Sequence, residues 1–225
     1  MTPPTIAALG LVDRERLAGS AGIATSWAKL GVPAPGNGRT FRGVFGRTDE
    51  TFRRLDRISR ALVLAGEAAG ITAVIAAAGG VPPAEVALVF ETSLGSLDSD
   101  LKFADSMAAG MCDGPVFAYT LPSTSLGELA LRHGLRGPTI CLATVPAQRG
   151  SALREAELLL ATGEARVVVA GLVDVLATPR PSVEAECRAV VTVLASPALG
   201  LRGVAAWPGS GLDAWESLAA SPGRD

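Results

Sequence analysis

The chain has 225 residues, of which 48% are hydrophobic and 19% charged, a balance typical of a globular protein and unlike that of a disordered one. Its 20 Lys and Arg and 22 Asp and Glu leave a formal net charge of −2, so no basic excess indicates nucleic-acid binding. Three cysteines without a Cys-x-x-Cys pair and a single histidine, His133, argue against a disulfide framework, a zinc set and hydrolase chemistry. We expect no metal and no cofactor.

The N-terminus lacks the pattern of a secretory signal, because prolines stand where positive charge is expected and charges follow a short apolar stretch. We therefore expect a cytoplasmic protein. The segment from Ala61 to Gly80 is apolar over twenty residues, with Glu67 as its one charge. Alanine and glycine supply most of it, and a carboxylate at mid-span costs about 2.5–3.5 kcal/mol. The segment predicts a buried helix and no membrane span.

The first part of the chain predicts a strand at Thr5–Val12 and then an insertion from Trp27 to Arg47, which is rich in Gly, Pro and Arg. A helix is predicted from Thr48, whose hydroxyl suits an N-cap before two acidic residues, to Ala78. One of its faces is apolar, with Phe52, Leu55, Ile58 and Leu62. The opposite face, interpreted as solvated with a binding patch as the alternative, carries Arg53, Arg54, Arg57 and Arg60.

The rest of the chain alternates between the two element types. Strands are predicted at Glu85–Glu91, Thr139–Thr144, Arg166–Val175 and about Glu186–Ala195. Helices are predicted at about Ser99–Ala109, Thr124–His133 and Ser151–Gly163, and the helix dipole suffices to explain Asp98 and Asp100 at the first of them. The alternation predicts a single α/β domain with a layered, mostly parallel sheet of five strands flanked by helices, and an irregular tail over 197–225.

Several stretches, in order from about Thr48 to Ser196, resemble the N-terminal half of β-ketoacyl synthases, the condensing enzymes of fatty acid and polyketide synthesis. They include ETSLGSLDSD at Glu91–Asp100, FAYTLPSTSLGELALRHGLRGP at Phe117–Pro138, and RVVVAGLVDV. The most specific element is the GLRGP run at Gly134–Pro138, followed by strand, loop, helix and a further strand containing Ala-Gly. Residues 1–47 match only weakly.

The resemblance implies one half of a thiolase fold, in which two similar halves form five layers and each half holds a five-stranded sheet. In that family a nucleophilic cysteine follows the strand after the Gly-Pro pair, at the N-terminus of a buried helix. A gapless alignment from Gly137 and Pro138 places this position on Pro146, which offers neither a nucleophile nor an N–H. No Cys or Ser occurs from Ala143 to Gly150. The family's two catalytic histidines belong to its second half, and this chain ends where that half would begin, so the resemblance implies a subunit without acyl-transfer chemistry.

Four other side chains are candidates to replace the missing catalytic groups. Cys141 lies within an apolar strand and Cys187 begins another, so both are interpreted as small buried hydrophobic residues. Cys112 lies in a Gly-Met-Cys-Asp-Gly loop, but no histidine is near it in sequence. We expect His133 to be a solvated residue at a helix end.

The first functional hypothesis is a chain-length factor, a ketosynthase-like subunit that pairs with an active ketosynthase and shapes its acyl tunnel, as in aryl polyene and polyketide clusters. Its partners would be that ketosynthase, in a heterodimer that acts as an acyltransferase, and transiently an acyl carrier protein. In this family the strand before the nucleophile pairs across a two-fold axis, which predicts an interface at Thr139, Ile140, Cys141, Leu142, Ala143 and Thr144. Tunnel candidates, with core packing as the alternative, are Met107, Met111 and Phe117.

Two other functional classes remain open at this stage. One is a malonyl decarboxylase or acyltransferase that needs no cysteine, with Gln148 or backbone N–H groups as donors to an enolate. The other is an assembly module that binds acyl carrier protein, whose acidic surface would meet arginines of the helix after Thr48. In every case the surface that in the family meets the second half must be covered. The candidates are the C-terminal tail, with Trp207 and Trp215, and another subunit.

Overall fold

The computed structural model of the chain describes residues 2–221. The strands are β1 (Thr5–Val12), β2 (Arg16–Gly19), β3 (Ile23–Ser26), β4 (Val86–Thr92), β5 (Thr139–Ala143), β6 (Val167–Leu176) and β7 (Glu186–Ala195). The helices are α1 (Trp27–Leu30), α2 (Thr40–Phe45), α3 (Arg57–Ala69), α4 (Ile71–Ala77), α5 (Leu97–Ala108), α6 (Gly114–Phe117), α7 (Ser123–His133), α8 (Ser151–Thr162) and α9 (Ala214–Ala219).

The strands form one seven-stranded sheet in the order β3-β2-β1-β7-β6-β4-β5. All five predicted strands are present, and the predicted α/β class is confirmed. The expectation of five mostly parallel strands differs from the structure, because among the described residues only β4–β5 and β4–β6 pair in parallel. The other connections, β1 to β2, β2 to β3 and β6 to β7, contain no helix long enough for a crossover and reverse the chain.

The two additional strands, β2 and β3, extend the sheet beyond β1. Each pairs antiparallel with the strand before it, to which a short turn connects it. The stretch expected to be an insertion contains α1 and α2, and it is anchored to the core by Phe41, whose side chain is fully buried. The ring of Phe41 lies 5.2 Å from that of Phe52, between ring centroids. The insertion is therefore packed onto the domain, with its own contribution to the core.

Helix α3 begins eight residues later than the sequence predicts, because Asp56 and not Thr48 is its N-cap. The Asp56 carboxylate accepts a hydrogen bond from the Ser59 N–H at 2.8 Å. Asp49 instead accepts one from the Phe52 N–H, also at 2.8 Å, and so closes a separate turn. The predicted single helix is also divided, because Gly70 adopts a left-handed conformation (φ 79°) between α3 and α4.

Helix α3 packs directly on the strands β1 and β2, and two glycines make this possible. A Cβ atom at Gly10 would lie 1.9 Å from the Ala65 carbonyl oxygen, and one at Gly19 would lie 2.2 Å from the Ala68 carbonyl oxygen. The side chains of α3 that face the sheet are buried in one core, which also includes α7, while α8 and α9 cover the other face of the sheet. The sheet thus has a hydrophobic layer on both sides.

The segment expected to be an irregular tail contains the helix α9, which packs against β7 and β1. Trp215 of α9 is 1% exposed and belongs to the core on the α8 side, and Trp207 packs against the same core. The two tryptophans therefore cover that face of the sheet. Residues 222–225 of the expected tail, and Met1 of the weakly matched start, lie outside the described residues.

Within residues 2–221, no single helix is long and apolar enough to cross a membrane. Helices α3 and α4 satisfy the length and composition criteria only as a pair, and they bend by 41° at their junction. The apolar residues of α3 are buried in the core between the sheet and α7.

Candidate functional site

The strands β4, β5 and β6 run in the same direction, so their carboxyl ends lie at the same end of the sheet. The loops that follow the three strands meet there. The Thr144 N–H donates to the Thr92 carbonyl at 2.9 Å and joins the first two loops. Asp174, near the end of β6, holds the loop after β4 by accepting from the N–H groups of Ser93 (2.8 Å) and Leu94 (2.9 Å). The loop of residues 144–150, in which the resemblance places a nucleophile, lies at this carboxyl end of the strands.

Loop 144–150 contains a turn of 3-10 helix at Pro146–Gln148 and ends at Gly150, the N-cap of α8. Gly150 has a left-handed backbone, with φ 89°. Gln148 is exposed, and its carbonyl accepts a hydrogen bond from the Ser151 hydroxyl at 2.7 Å. The Ser151 hydroxyl, directly after the loop, is thus bonded back to the backbone of the turn.

The N-terminus of α8 is occupied by the side chain of Glu91, which sequence reasoning missed. Glu91 is fully buried at the end of β4, and its carboxylate accepts from the Gly150 N–H at 2.9 Å and the Ala152 N–H at 2.7 Å. The Trp215 indole N–H donates to the same carboxylate at 3.0 Å. A signal existed in the sequence, since a carboxylate that ends an apolar strand must find donors when it is buried.

The chain's C-terminal segment lies against the same helix end. A Cβ atom at Gly150 would lie 2.6 Å from the Ser210 carbonyl oxygen and 2.7 Å from that of Gly211. The Arg154 guanidinium donates to the Ser210 carbonyl at 2.8 Å. Together with Trp215 this segment covers the N-terminus of α8. The groups next to that helix end are the carboxylate of Glu91 and the carbonyl groups of Ser210 and Gly211.

The tunnel candidates are at the surface in the isolated chain. Met107, Met111 and Phe117 are 51%, 61% and 59% exposed, and Leu121, which follows them, is 65% exposed. The rings of Phe103 and Phe117 are 5.1 Å apart, which joins the end of α5 to α6. We refer to Met107, Met111, Phe117 and Leu121 as the apolar patch.

The interface candidates form the strand at one edge of the sheet. In the β4–β5 ladder the Leu88 N–H donates to the Pro138 carbonyl at 2.8 Å, and the Thr144 N–H donates to the Thr92 carbonyl. Because ladder partners alternate along a strand, the backbone groups of Thr139, Cys141 and Ala143 face away from β4. Within residues 2–221, β4 is the one strand that pairs with β5.

The three cysteines differ in burial. Cys187 is buried, as predicted, and burial raises the pKa of its thiol to about 12. Cys141 is half-buried on the edge strand and packs against the core on the α3 side, and burial raises the pKa of its thiol. Cys112 is exposed. Within residues 2–221, no group of three or more His, Cys, Asp or Glu side chains is arranged to hold a metal ion.

His133 is not the solvated residue that the sequence predicts. Its ring is half-buried at the end of α7, with Nδ1 2.9 Å from the Thr72 hydroxyl. Burial lowers the pKa of His133 to about 4, and the charges of Arg132 and Arg47 act in the same direction. The neutral imidazole lines a cleft beside the ion pairs that Arg132 forms with Asp49 and Glu67, the second with N···O 3.4 Å.

The acidic residues of α5 also do more than the helix dipole requires. Asp98 is 4% exposed and accepts hydrogen bonds from Lys102 and from the Ala177 N–H, the latter at 3.0 Å. Arg57, expected on a solvated face, binds Asp98 with N···O 3.3 Å. Burial opposes ionisation of Asp98, but these donors and charges outweigh it and hold its pKa below the usual value. Asp100 accepts from the Ser96 hydroxyl, at 3.0 Å.

No family model and no curated protein matches the sequence. Solved structures match in fold. The ketosynthase ApeO in complex with its chain length factor ApeC, from Xenorhabdus doucetiae, aligns with 65% of this chain and 60% of that chain, at 19% identity and TM-score 0.51. The ishigamide ketosynthase/chain length factor aligns with 90% of this chain and 65% of that chain, at 16% identity and TM-score 0.65.

A β-ketoacyl synthase from Burkholderia phymatum STM815 aligns with 90% of this chain and 62% of that chain, at 17% identity and TM-score 0.57. The chain thus spans 60 to 65% of the length of the solved chains that it matches. At such identities the likeness establishes the architecture alone, so over the aligned part the chain shares the α/β fold of these ketosynthase and chain-length-factor structures.

Proposed function

We propose that the chain is a single-domain, non-catalytic ketosynthase-like subunit, a chain-length factor, that pairs with an active β-ketoacyl synthase and shapes its acyl tunnel. The observation that carries the proposal is the occupied N-terminus of α8. Acyl transfer from a thiolate needs free N–H groups at such a helix end, because they stabilise the thiolate and the oxyanion that follows. Here the carboxylate of Glu91 binds the N–H groups of Gly150 and Ala152.

The charge of that carboxylate works against catalysis as well. An oxyanion or an enolate that developed near Gly150 would meet the negative charge of Glu91 and the carbonyl groups of Ser210 and Gly211. This disfavours the alternative of a decarboxylase that uses backbone N–H groups of the loop. The exposed Gln148 side chain is then the one remaining donor among those proposed for that reaction.

The exposed edge strand β5 supports the proposed pairing with another chain. Proteins protect an exposed edge strand with charged residues, proline or a bulge, because its free backbone groups attract other strands. The segment Thr139–Ala143 reads TICLA, without charge or proline, and its pairing with β4 is regular. Two such edges related by a two-fold axis pair antiparallel and satisfy each other's backbone groups.

The apolar patch supports the second part of the proposal. Thioether and aromatic side chains adapt to an alkyl chain and line apolar channels well. Contact with a partner would remove Met107, Met111 and Phe117 from water and make them part of a tunnel wall. The matched structures include a ketosynthase with its chain length factor, and an acyl-carrier protein in complex with its ketosynthase bound to a hexaketide. We propose the same two partner types for this chain.

Co-expression with the ketosynthase encoded beside its gene tests the assembly. We expect a 1:1 complex, and Ala143→Lys on β5 to weaken it by roughly tenfold or more, since a lysine on an edge strand blocks pairing. The matched control is Ala24→Lys, an exposed alanine on β3 at the opposite edge. A chain that stays monomeric beside the ketosynthase, or equal effects of the two variants, would contradict the proposed interface.

Product analysis tests the tunnel. In the reconstituted complex, Phe117→Ala and Phe117→Trp should shift the chain length of the product in opposite directions, while Leu131→Ala, at an exposed residue of α7, should not. Unchanged products would remove Phe117 from the tunnel. The isolated chain should also show no decarboxylation of a malonyl carrier protein above the buffer rate, and turnover there would favour the enzyme alternative.

A further inference from the structure

A second cleft, separate from the carboxyl-end loops, lies between α2 and the turn that precedes α3. It has a volume of about 580 Å³ and is lined by Gly38, Arg39, Arg42, Gly43, Thr48, Asp49, Glu50 and Arg53. This volume is in the range of small-molecule sites, which run from about 300 to 1,000 Å³. We refer to it as the arginine cleft.

The arginines of this cleft have no acidic partner within residues 2–221. Most other arginines bind a carboxylate, as Arg132 binds Asp49 and Arg188 binds Glu216. Arg39, Arg42 and Arg53 are exposed and form no ion pair. Their guanidinium groups are therefore available to a ligand.

The backbone brings these side chains together. Arg39 is the N-cap of α2 and Arg42 lies three residues later, so both fall on one face of the helix. Gly38 makes room for the third arginine, since a Cβ atom there would lie 2.9 Å from Cγ of Arg53. A side chain at position 38 would displace Arg53 from the cleft.

The charges in the cleft do not balance. Asp49 is matched by Arg132, which binds its carboxylate from the other side of the segment. Glu50 is exposed and forms no ion pair within the described residues, so three arginines less one glutamate leave a surplus of two positive charges. A phosphate monoester carries about −1.5 to −2 at neutral pH, which matches this surplus.

We propose that the arginine cleft binds a phosphate-bearing ligand, with a phosphate monoester or diphosphate group held by Arg39, Arg42 and Arg53. Guanidinium groups present paired donors that fit phosphate oxygens, and three of them neutralise and orient such a group. Thr48 lines the same cleft and carries a hydroxyl group that can donate a hydrogen bond. This binding does not depend on the proposed pairing with a ketosynthase, because the cleft uses no residue of β5 or of the apolar patch.

The test is a titration of the full chain with inorganic pyrophosphate, followed by calorimetry and by the NMR signals of the arginine Nε–H groups. We expect binding and shifts at Arg39, Arg42 and Arg53. The triple variant R39Q/R42Q/R53Q should weaken binding by roughly tenfold or more, since charge-assisted hydrogen bonds are the strong ones.

The control variant R136Q/R180Q/R202Q removes the same charge from three exposed arginines that also form no ion pair within residues 2–221. It should change affinity less than about twofold, since surface charge away from the site is screened. Equal losses in both variants would show a net-charge effect and overturn the proposal. So would equal binding of citrate, which carries similar charge without phosphate, or no binding of pyrophosphate by the wild-type chain.

Discussion

At the scale of the residue, Glu91 shows how a buried carboxylate is stabilised without a cation. The charge meets two N–H groups at the positive end of the α8 dipole and one indole N–H. Removal of a buried charge that three donors share leaves all three unpaired in a dry environment, and each unpaired donor costs about 1–3 kcal/mol. Glu91 therefore joins β4, α8 and α9 at one point.

We expect Glu91→Ala to lower the free energy of unfolding by about 3 kcal/mol or more, through these unpaired donors. Urea denaturation followed by tryptophan fluorescence measures the loss and also reports on Trp215. Glu184→Ala, at an exposed glutamate, is the control and should stay within about 0.5 kcal/mol of the wild type. A wild-type midpoint in the Glu91 variant would show that the carboxylate does not hold the helix end.

His133 makes stability depend on pH in a defined window. Burial lowers its pKa from 6.5 to about 4, so between these values the unfolded chain binds a proton that the folded chain does not. Stability should therefore fall as the pH drops from about 6.5 toward 4. Urea midpoints from about pH 7.5 to pH 5, above the range of most carboxyl groups, measure this slope.

His133→Gln should flatten the slope in that window, since the chain has a single histidine. Midpoints of the wild type between about pH 8 and 9 provide the internal control, where no change is expected from this residue. A slope that persists in His133→Gln would assign the effect to another group.

At the scale of the element, the sequence predicts what depends on local pattern. The five apolar strands are predicted correctly, because runs of β-branched residues such as VVVAGLVDV favour a strand that is buried on both faces of a sheet. The hairpin strands β2 and β3 are missed because each has only four residues, in a stretch with little alternation. The start of α3 is misplaced because Thr48 and Asp56 are both N-cap residue types, and only tertiary packing decides between them.

The candidate site likewise has features that the local sequence predicts and features that depend on contacts between distant residues. The absence of Cys and Ser from loop 144–150 is visible in the sequence. In the structure β5 is an edge strand of the sheet, and the interface there stays a prediction. The contact of Glu91 with Ala152 joins residues that are 61 positions apart, and that with Trp215 joins residues 124 apart. No local pattern reports such pairs.

The close packing of α3 on β1 gives a prediction for this element. Gly10→Ala should destabilise the protein by about 2–3 kcal/mol or more, since its Cβ would lie 1.9 Å from the Ala65 carbonyl oxygen and force helix and strand apart. Gly127→Ala, the matched control within α7, has no atom within 4 Å of the new Cβ. It should stabilise by about 0.5–1 kcal/mol, because alanine favours a helix. Thermal unfolding of both variants tests this contrast, and a tolerated Gly10→Ala would contradict the packing.

At the scale of the whole molecule, the exposed apolar patch predicts self-association of the chain when it is alone. Large exposed apolar side chains such as these favour association in water, whatever their natural partner. Sedimentation of the isolated chain should show oligomers that M107S/F117S/L121S reduces, while Leu158→Ser, at an exposed leucine of α8, leaves them unchanged. A monodisperse monomer at high concentration would contradict this.

The central place of β7 has a consequence for synthesis. This strand pairs with β1 on one side and β6 on the other, and its pairing joins Thr5 to Ala195. During synthesis on the ribosome, one edge of β1 stays unpaired until residue 195 has emerged. Contacts between residues so far apart in sequence also form slowly. Folding of the sheet is therefore completed only after most of the chain has been translated. During that interval the nascent chain exposes strand edges of the kind that chaperones shield.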